Sequence, residues 1–387
     1  MAAEALAQRG VRVTVHEAMP TAGRKFLMAG KSGLNLTKDE PFEVFQSRFF
    51  EANDRLAPIL AEFGPAAVVR WAEGLGQPVF TGSSGRVFPK AMKASPLLRS
   101  WLARLADLGV TLQTRSIWRG WEDDQLTFET PSGPETVEAQ ATVLALGGAS
   151  WARLGSNGLW TRVLSGEGVK LHPFEPANMG LQVAWSDRMA RHFGTPLKPI
   201  GLRAGDESVV GECVISNRGL EGSAVYALSR PLRAGADLSV DLIPGRALSD
   251  AANALSRPWG KTSLANVLRK ALRLSSAKIA LAQEMARPLP REPAALAQVL
   301  KSLPISYDGP RPLDEAISVA GGLPWSELDD SFMLKRRPGT YACGEMLDWE
   351  APTGGYLITA CLATGLHAGR AAADALGAIA QNSTAPN

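Results

Sequence analysis

The chain has no long hydrophobic run, no paired cysteines and few histidines, and each shortage removes a class of function. No stretch of its 387 residues approaches the roughly 20 apolar residues that a bilayer-crossing helix needs. Glu4, Gln8 and Arg9 interrupt the apolar residues of the first turns, so no secretory leader is expected, and the cytoplasm is the default location. Cys213, Cys343 and Cys361 stand far apart without CxxC spacing, which argues against a disulfide framework or a thiol redox pair. His16, His172, His192 and His367 are equally scattered, so no metal site is expected. A net charge of +3 falls short of the concentrated basic face of a nucleic-acid binder, and neither a nucleic-acid nor a membrane partner is expected.

What is present is ordinary globular composition, 45% hydrophobic and 20% charged, at a length that suits two domains with one inserted in the other. Residues 1–9 read as a short helix stopped by Gly10, and residues 11–15 as a buried strand closing on Glu17. Helix, glycine, strand and acid form the second half of a βαβ unit. An irregular Gly-, Lys- and Ser-rich stretch covers residues 21–39. Leu97, Leu98, Trp101, Leu102, Leu105 and Leu108 keep helical spacing behind Ser95 and Pro96 until Gly109, and a strand is expected from Val110. Residues 143–146 read as a buried strand running into Gly147-Gly148.

From about residue 155 the pattern changes to short strands and then to a basic helical stretch over residues 263–285, where Lys270, Arg273 and Lys278 alternate with leucines. That stretch is read as a solvated helix face. The expected division is a discontinuous domain of residues 1–154 and 312–380, an inserted β-plus-helical substrate or cap domain of residues 155–311, and a flexible tail of residues 381–387.

Glu17 stands where a dinucleotide fold places the acid that accepts from both adenosine ribose hydroxyls. Gly23, Arg24 and Lys25, with Lys31, Ser32, Gly33, Leu34, Asn35 and Leu36, make a cationic loop able to wrap a pyrophosphate with charged and backbone donors. Residues 340–345 read as a strand ending in Gly344 and Glu345, with Asp348 beyond, where the acid can hold a sugar hydroxyl. Gly354, Gly355, Tyr356 and Leu357 open a small-residue helix whose free N–H groups would favour negative charge on a ligand.

With those motifs the chain resembles the bacterial aminoacetone-oxidase-like and bile-acid-reductase-like NAD(P)/FAD-dependent oxidoreductases of the glutathione-reductase-type flavoprotein superfamily. The Gly23 to Leu36 loop, Gly211-Glu212 with the turn from Gly219 to Ala224, Gly321-Gly322-Leu323, Gly344-Glu345 and Thr353 to Tyr356 carry the resemblance in order along nearly the whole chain. It implies an α/β fold with a Rossmann-like FAD-binding domain and hydride transfer between flavin and a small organic substrate, NAD(P)H being the expected electron partner. It also implies Glu17 on the adenosine ribose, Arg24 and Lys25 near the pyrophosphate or flavin, and Ser32, Gly33, Leu34, Asn35 and Leu36 along the flavin. The Trp118 backbone would meet adenine, Gly147 and Gly148 would pass close to the cofactor, Gly344 and Glu345 would serve the ribityl and pyrophosphate region, and Gly354, Gly355, Tyr356 and Leu357 the flavin pyrimidine edge. No side chain is assigned as catalytic acid or base.

Two departures stand against this pattern. No Gly-x-Gly-x-x-Gly turn with its preceding strand occurs, because Met1 already falls within the helix that such a turn opens. The expectation is that Met1 is internal to a product starting about 15 to 20 residues earlier. No second such turn marks a nicotinamide site either. The competing readings are a cofactor-free remnant serving as an interaction protein and an RNA-modifying flavoprotein.

Overall fold

A computed structural model of the chain describes residues 1–31 and 33–384, the side chains of 379–384 excepted. The chain forms two compact units, Met1–Glu175 with Ser318–Asn387, and Pro176–Ile317. Residues 155–175 and 312–317 thus fall on the opposite side of the division from the one their sequence suggests. The first of these stretches contributes the helix Trp160–Gly166 and buries Trp160, Leu164 and Val169 in the core of the first unit.

In the first unit the helix Ala2–Ala7 ends before Gly10, and the strand Thr14–Glu17 follows, shorter than the apolar run predicts. It pairs in parallel with Thr111–Thr114, in register from Thr14 on Thr111 to Glu17 on Thr114. The helix Ala94–Asp107 leads into that partner and buries Ala94, Leu97 and Leu98, as the leucine spacing requires. A second parallel pair joins Thr142–Leu144 to Thr340–Ala342. Parallel pairing and crossover helices are the Rossmann-type arrangement. Antiparallel strands Ile117–Glu122, Gln125–Thr130 and Gly133–Val137 branch from it.

The long helix Tyr356–Thr384 carries Ala360, Ala363, Ala368 and Ala372 into the core. Small residues let its backbone lie close to its neighbours. The helix also runs through residues 381–384, which the sequence reading places in a flexible tail; residues 385–387 of that tail lie outside the described residues.

The second unit is built on a seven-stranded antiparallel sheet in the order Leu303–Ile305, Leu238–Asp241, Thr195–Ala204, Glu207–Ser216, Gly219–Glu221, Leu181–Gln182 and Gly309–Pro310. Leu197 is buried, and after a bulge the alternation resumes in the other phase with Ile200, Leu202 and Ala204. The basic helical stretch consists of two helices, Leu264–Leu272 and Ser276–Met285, separated at Arg273 with φ of 55°. Ser263 and Ser275 cap them by accepting from the N–H groups of Asn266 and Lys278. Lys278 is not on a solvated face, being only 7% exposed. No helix among the described residues is long and apolar enough to cross a membrane.

His16, on the first strand, stacks on Phe128 at 4.0 Å and shares a 2.8 Å hydrogen bond with the Ser116 hydroxyl. Burial lowers its pKa below the usual value, against a weaker opposing pull from Glu135. The unfolded chain therefore binds more protons than the folded one over the interval beneath about pH 6.5, so stability is full above that value and falls as pH drops through the lowered pKa. Urea unfolding from about pH 7.5 to 5 should show this slope in the wild type and a shallower one in His16→Gln. Equal slopes would show that His16 is not the group responsible.

Candidate functional site

The site residues of the first unit form a connected track, beginning at Glu17. Its Oε1 accepts from the Met19 N–H at 2.8 Å, which turns the chain sharply at the strand end. Burial raises the Glu17 pKa, with the Met19 bond and the Arg24 charge pulling the other way. The carboxylate therefore carries less hydrogen-bonding support than its burial calls for. The Glu17 carbonyl accepts from the Ser116 N–H at 3.0 Å, which sets Trp118 two residues further along the adjoining strand. The Trp118 indole Nε1 is buried without a hydrogen-bond partner, its ring edge-on to Trp121.

Beyond Met19, the next point is Lys25. A Cβ on Gly155 would lie 2.8 Å from the Met19 Cγ, so the two segments touch there. The Lys25 ammonium donates to Ser150 Oγ at 2.9 Å, Ser156 Oγ at 3.4 Å and Glu345 Oε2 at 2.6 Å. Lys25 and Glu345, read from sequence as separate cofactor contacts, are partners of each other in an ion pair, with side chains 27% and 15% exposed. Arg24, by contrast, donates through Nε to Thr21 on the exposed side. Gly23 precedes both as the cap residue of the helix Arg24–Ala29.

The glycine pair after the second parallel pair serves this same point. The Gly147 carbonyl accepts from Trp160 Nε1 at 2.9 Å. A Cβ on Gly148 would sit 2.4 Å from Val319 Cγ2 and 3.2 Å from Glu345 Cδ, so glycine there admits the Glu345 side chain. The Gly344 N–H donates to Thr364 Oγ1 on the long helix at 3.0 Å, tying the Gly344-Glu345 turn to that helix. Asp348 accepts from the Gly321 N–H at 3.1 Å and pairs with His172 at 2.6 Å.

At the helix start, the Thr37 backbone presses on Gly355. A Cβ on Gly355, with φ of 99°, would lie 2.4 Å from the Thr37 Cα, and Thr359 Oγ1 donates to Thr37 Oγ1 at 2.8 Å. Leu34 and Leu36 are fully buried among Val68, Ala94 and Leu97, and the Leu36 N–H donates to the Val87 carbonyl at 2.9 Å. Between them Asn35 keeps a buried Oδ1 without a hydrogen-bond partner. Gly33 precedes them at φ of 119°, and Ser32 lies outside the described residues. Tyr356 is buried against Phe45, and its hydroxyl is held between Lys38 at 3.1 Å and Glu40. Leu357 is half-buried one residue on, and Gly354 precedes the turn at φ of 135°.

Sequence reasoning missed Ser150, Ser156, Thr37, Lys38 and Glu40. Ser150 stands two residues past Gly148 and was within reach of a reading that extended the glycine turn. Thr37, Lys38 and Glu40 follow directly on Leu36 but belong to no motif, and Ser156 is joined to the site only through Lys25, distant in sequence. The thiols add nothing to this chemistry: burial pushes Cys343 up to about 11 and raises Cys361 too, so both stay protonated. No group of metal-ligating side chains occurs among the described residues.

Comparison with known proteins bears on this geometry. The family model described as HI0933-like protein Rossmann domain matches residues 1–371. A 3-dehydro-bile acid delta(4,6)-reductase of Clostridium scindens is 25% identical over 394 residues, spanning 94% of this chain and 93% of that protein. A ribosomal RNA dihydrouridine synthase of Escherichia coli is 24% identical over 363 residues, spanning 90% and 89%. Among solved structures, 3-ketosteroid delta1-dehydrogenase from Sterolibacterium denitrificans superposes with a TM-score of 0.50 at 12% identity, covering 97% of both chains, a likeness of fold.

The Lys25–Glu345 pair is the tie on which this arrangement turns. Lys25→Met should leave the Glu345 carboxylate half-buried and unpaired, costing roughly 1 to 3 kcal/mol, while the double variant with Glu345→Gln should recover part of that loss. Urea unfolding of the four proteins of this cycle gives the coupling; strictly additive losses would show that the pair is not energetically joined.

Proposed function

The chain belongs to the HI0933-like Rossmann domain family and is a flavin-dependent oxidoreductase acting on a small substrate, and we propose that its first unit holds FAD in extended form, with NAD(P)H as electron source. The observation that supports the extended pose is the continuity of the track. Glu17 holds Met19, Met19 packs on Gly155, Ser156 receives Lys25, Lys25 reaches Glu345, and Gly344 is bonded to the long helix. That run has an acid at one end and at the other meets the long helix at Thr364, about two turns past its glycine-opened start; the acid suits the adenosine ribose and the helix start the flavin pyrimidine edge.

The residues fit such a group. The Glu17 carboxylate, under-supported for its burial, has lone pairs for two ribose hydroxyls. The buried Asn35 oxygen has no protein donor and suits an N–H of a polar ring edge. The N–H groups and dipole at the start of the helix Tyr356–Thr384 favour negative charge beside Gly355. Because Glu345 already neutralises Lys25, main-chain donors must carry much of the pyrophosphate's charge. FAD supplies the hydride chemistry that side chains lack. The residues' share is to bind, orient and exclude water.

A cofactor-free remnant finds no support in a buried, unpartnered Asn35 oxygen. An RNA-modifying role has the E. coli relative in its favour and nothing among these residues.

Glu17→Ala should remove one or two charge-assisted hydrogen bonds and weaken FAD binding by about tenfold or more, with the unfolding midpoint little changed. Since the ribose hydroxyls donate to the ionised carboxylate, wild-type affinity should rise with pH through the raised Glu17 pKa and then level off. Fluorescence titration across that range checks both. An affinity equal in wild type and Glu17→Ala at every pH would remove Glu17 from the site. Anaerobic addition of NADH or NADPH tests the donor: flavin that keeps its visible absorbance with both would rule out a nicotinamide source.

A further inference from the structure

In the second unit, the bulged strand at Lys198 and Pro199, the turn of residues 242–246 and the junction between the helices Leu264–Leu272 and Ser276–Met285 surround one pocket. Four cationic residues line it, Lys198, Arg246, Arg273 and Lys278, and no carboxylate does. Two acids close to these residues already have cationic partners. Glu212 pairs with Lys198 at 3.1 Å, and Asp241, whose charge acts on Lys278 from nearby, is bonded to Lys301 at 2.5 Å. That leaves Arg246, Arg273 and Lys278 without a direct ion pair among the described residues, Asp241 acting on Lys278 only through its nearby charge.

Each of the three keeps donors to spare. The buried Lys278 ammonium gives two of its three hydrogens to the carbonyls of Pro199, at 2.6 Å, and Leu242, at 2.8 Å. Arg246 donates through one nitrogen to the Ala271 carbonyl at 3.2 Å. Arg273 sits in the left-handed region at the junction, its guanidinium free of any partner among the described residues. Burying an ammonium on carbonyls alone costs free energy, and half-buried Arg246 and exposed Arg273 add positive charge to the same pocket. A ligand with several anionic oxygens offsets that cost, and phosphate matches guanidinium forks better than a single carboxylate does.

We propose that this pocket binds the phosphate or diphosphate group of a small molecule. Every residue of this pocket belongs to the second unit, so the proposal does not depend on the flavin reading.

The test uses the full chain with FAD in excess and inorganic pyrophosphate as the probe, followed by calorimetry at low salt. Arg246→Ala and Arg273→Ala remove side chains outside the core, so the fold should stay intact, as an unchanged thermal midpoint without pyrophosphate would verify. Each should weaken pyrophosphate binding by about tenfold, whereas Arg203→Ala, an exposed control on the same unit, should leave it unchanged. Pyrophosphate should also raise the thermal midpoint of the wild type more than sulfate does at equal ionic strength. Equal binding by all four proteins, or equal effects of sulfate and pyrophosphate, would overturn the proposal. So would a single-stranded RNA oligonucleotide that binds through Arg246 and Arg273 and is not displaced by pyrophosphate, because the cluster would then belong to a nucleic-acid surface.

Discussion

One ammonium group fixes the geometry of the first unit. Lys25 reaches residues 125, 131 and 320 positions away along the chain, in Ser150, Ser156 and Glu345. Ser150 and Ser156 lie in irregular segments and Glu345 in a single 3-10 turn. Closing loops of that length costs several kcal/mol of chain entropy, which the crossover packing largely supplies, so the ammonium selects one arrangement among the few that packing allows. The same contact limits what Lys25 can give a ligand. A cation paired at 2.6 Å with a carboxylate presents little net charge, and the binding of an anion must then lean on N–H groups and on the helix start.

The second constraint is closeness of main chains. Where Gly355 meets Thr37, a single added carbon would fall 2.4 Å from another backbone atom, well inside van der Waals contact. That approach brings Asn35, Thr37 and the first turn of the long helix to one place and leaves the Asn35 oxygen buried without a donor. Leu34 and Leu36, on either side, anchor the strip in the core. Apolar neighbours thus hold a polar atom rigidly, which is how a binding contact is pre-organised. The Lys38–Tyr356–Glu40 network adds charge beside the same turn, and its hydrogen bonds keep the phenol from rotating.

Much of this was legible in the sequence because it is local. The leucine spacing over Ala94–Asp107, the glycine stop at Gly10 and the strand before Gly344-Glu345 follow from periodicity and turn chemistry alone. The Gly355 start of the long helix was legible for the same reason. The boundary near residue 155 was not, because the change to short strands begins before the second unit does, and Trp160 and Leu164 carry no mark of which core they enter. Lys278 reads as a surface cation by its helical neighbours, yet carbonyls from Pro199 and Leu242 draw it inside. Pairing of Lys25 with Glu345 was illegible for a like reason: both residues suit an anionic or hydroxylic ligand singly, and only the fold shows that they meet.

The central claim is that one ligand spans the track from Glu17 to Gly355, so its two halves are held together. Calorimetric titration with FAD, FMN and ADP separates the whole ligand from its parts under identical conditions. A spanning site predicts that FAD binds on the order of a hundredfold or more tighter than either fragment, since linking two contacts makes the second intramolecular. FMN binding as tightly as FAD would contradict the account, because the end of the site at Glu17 would then contribute nothing.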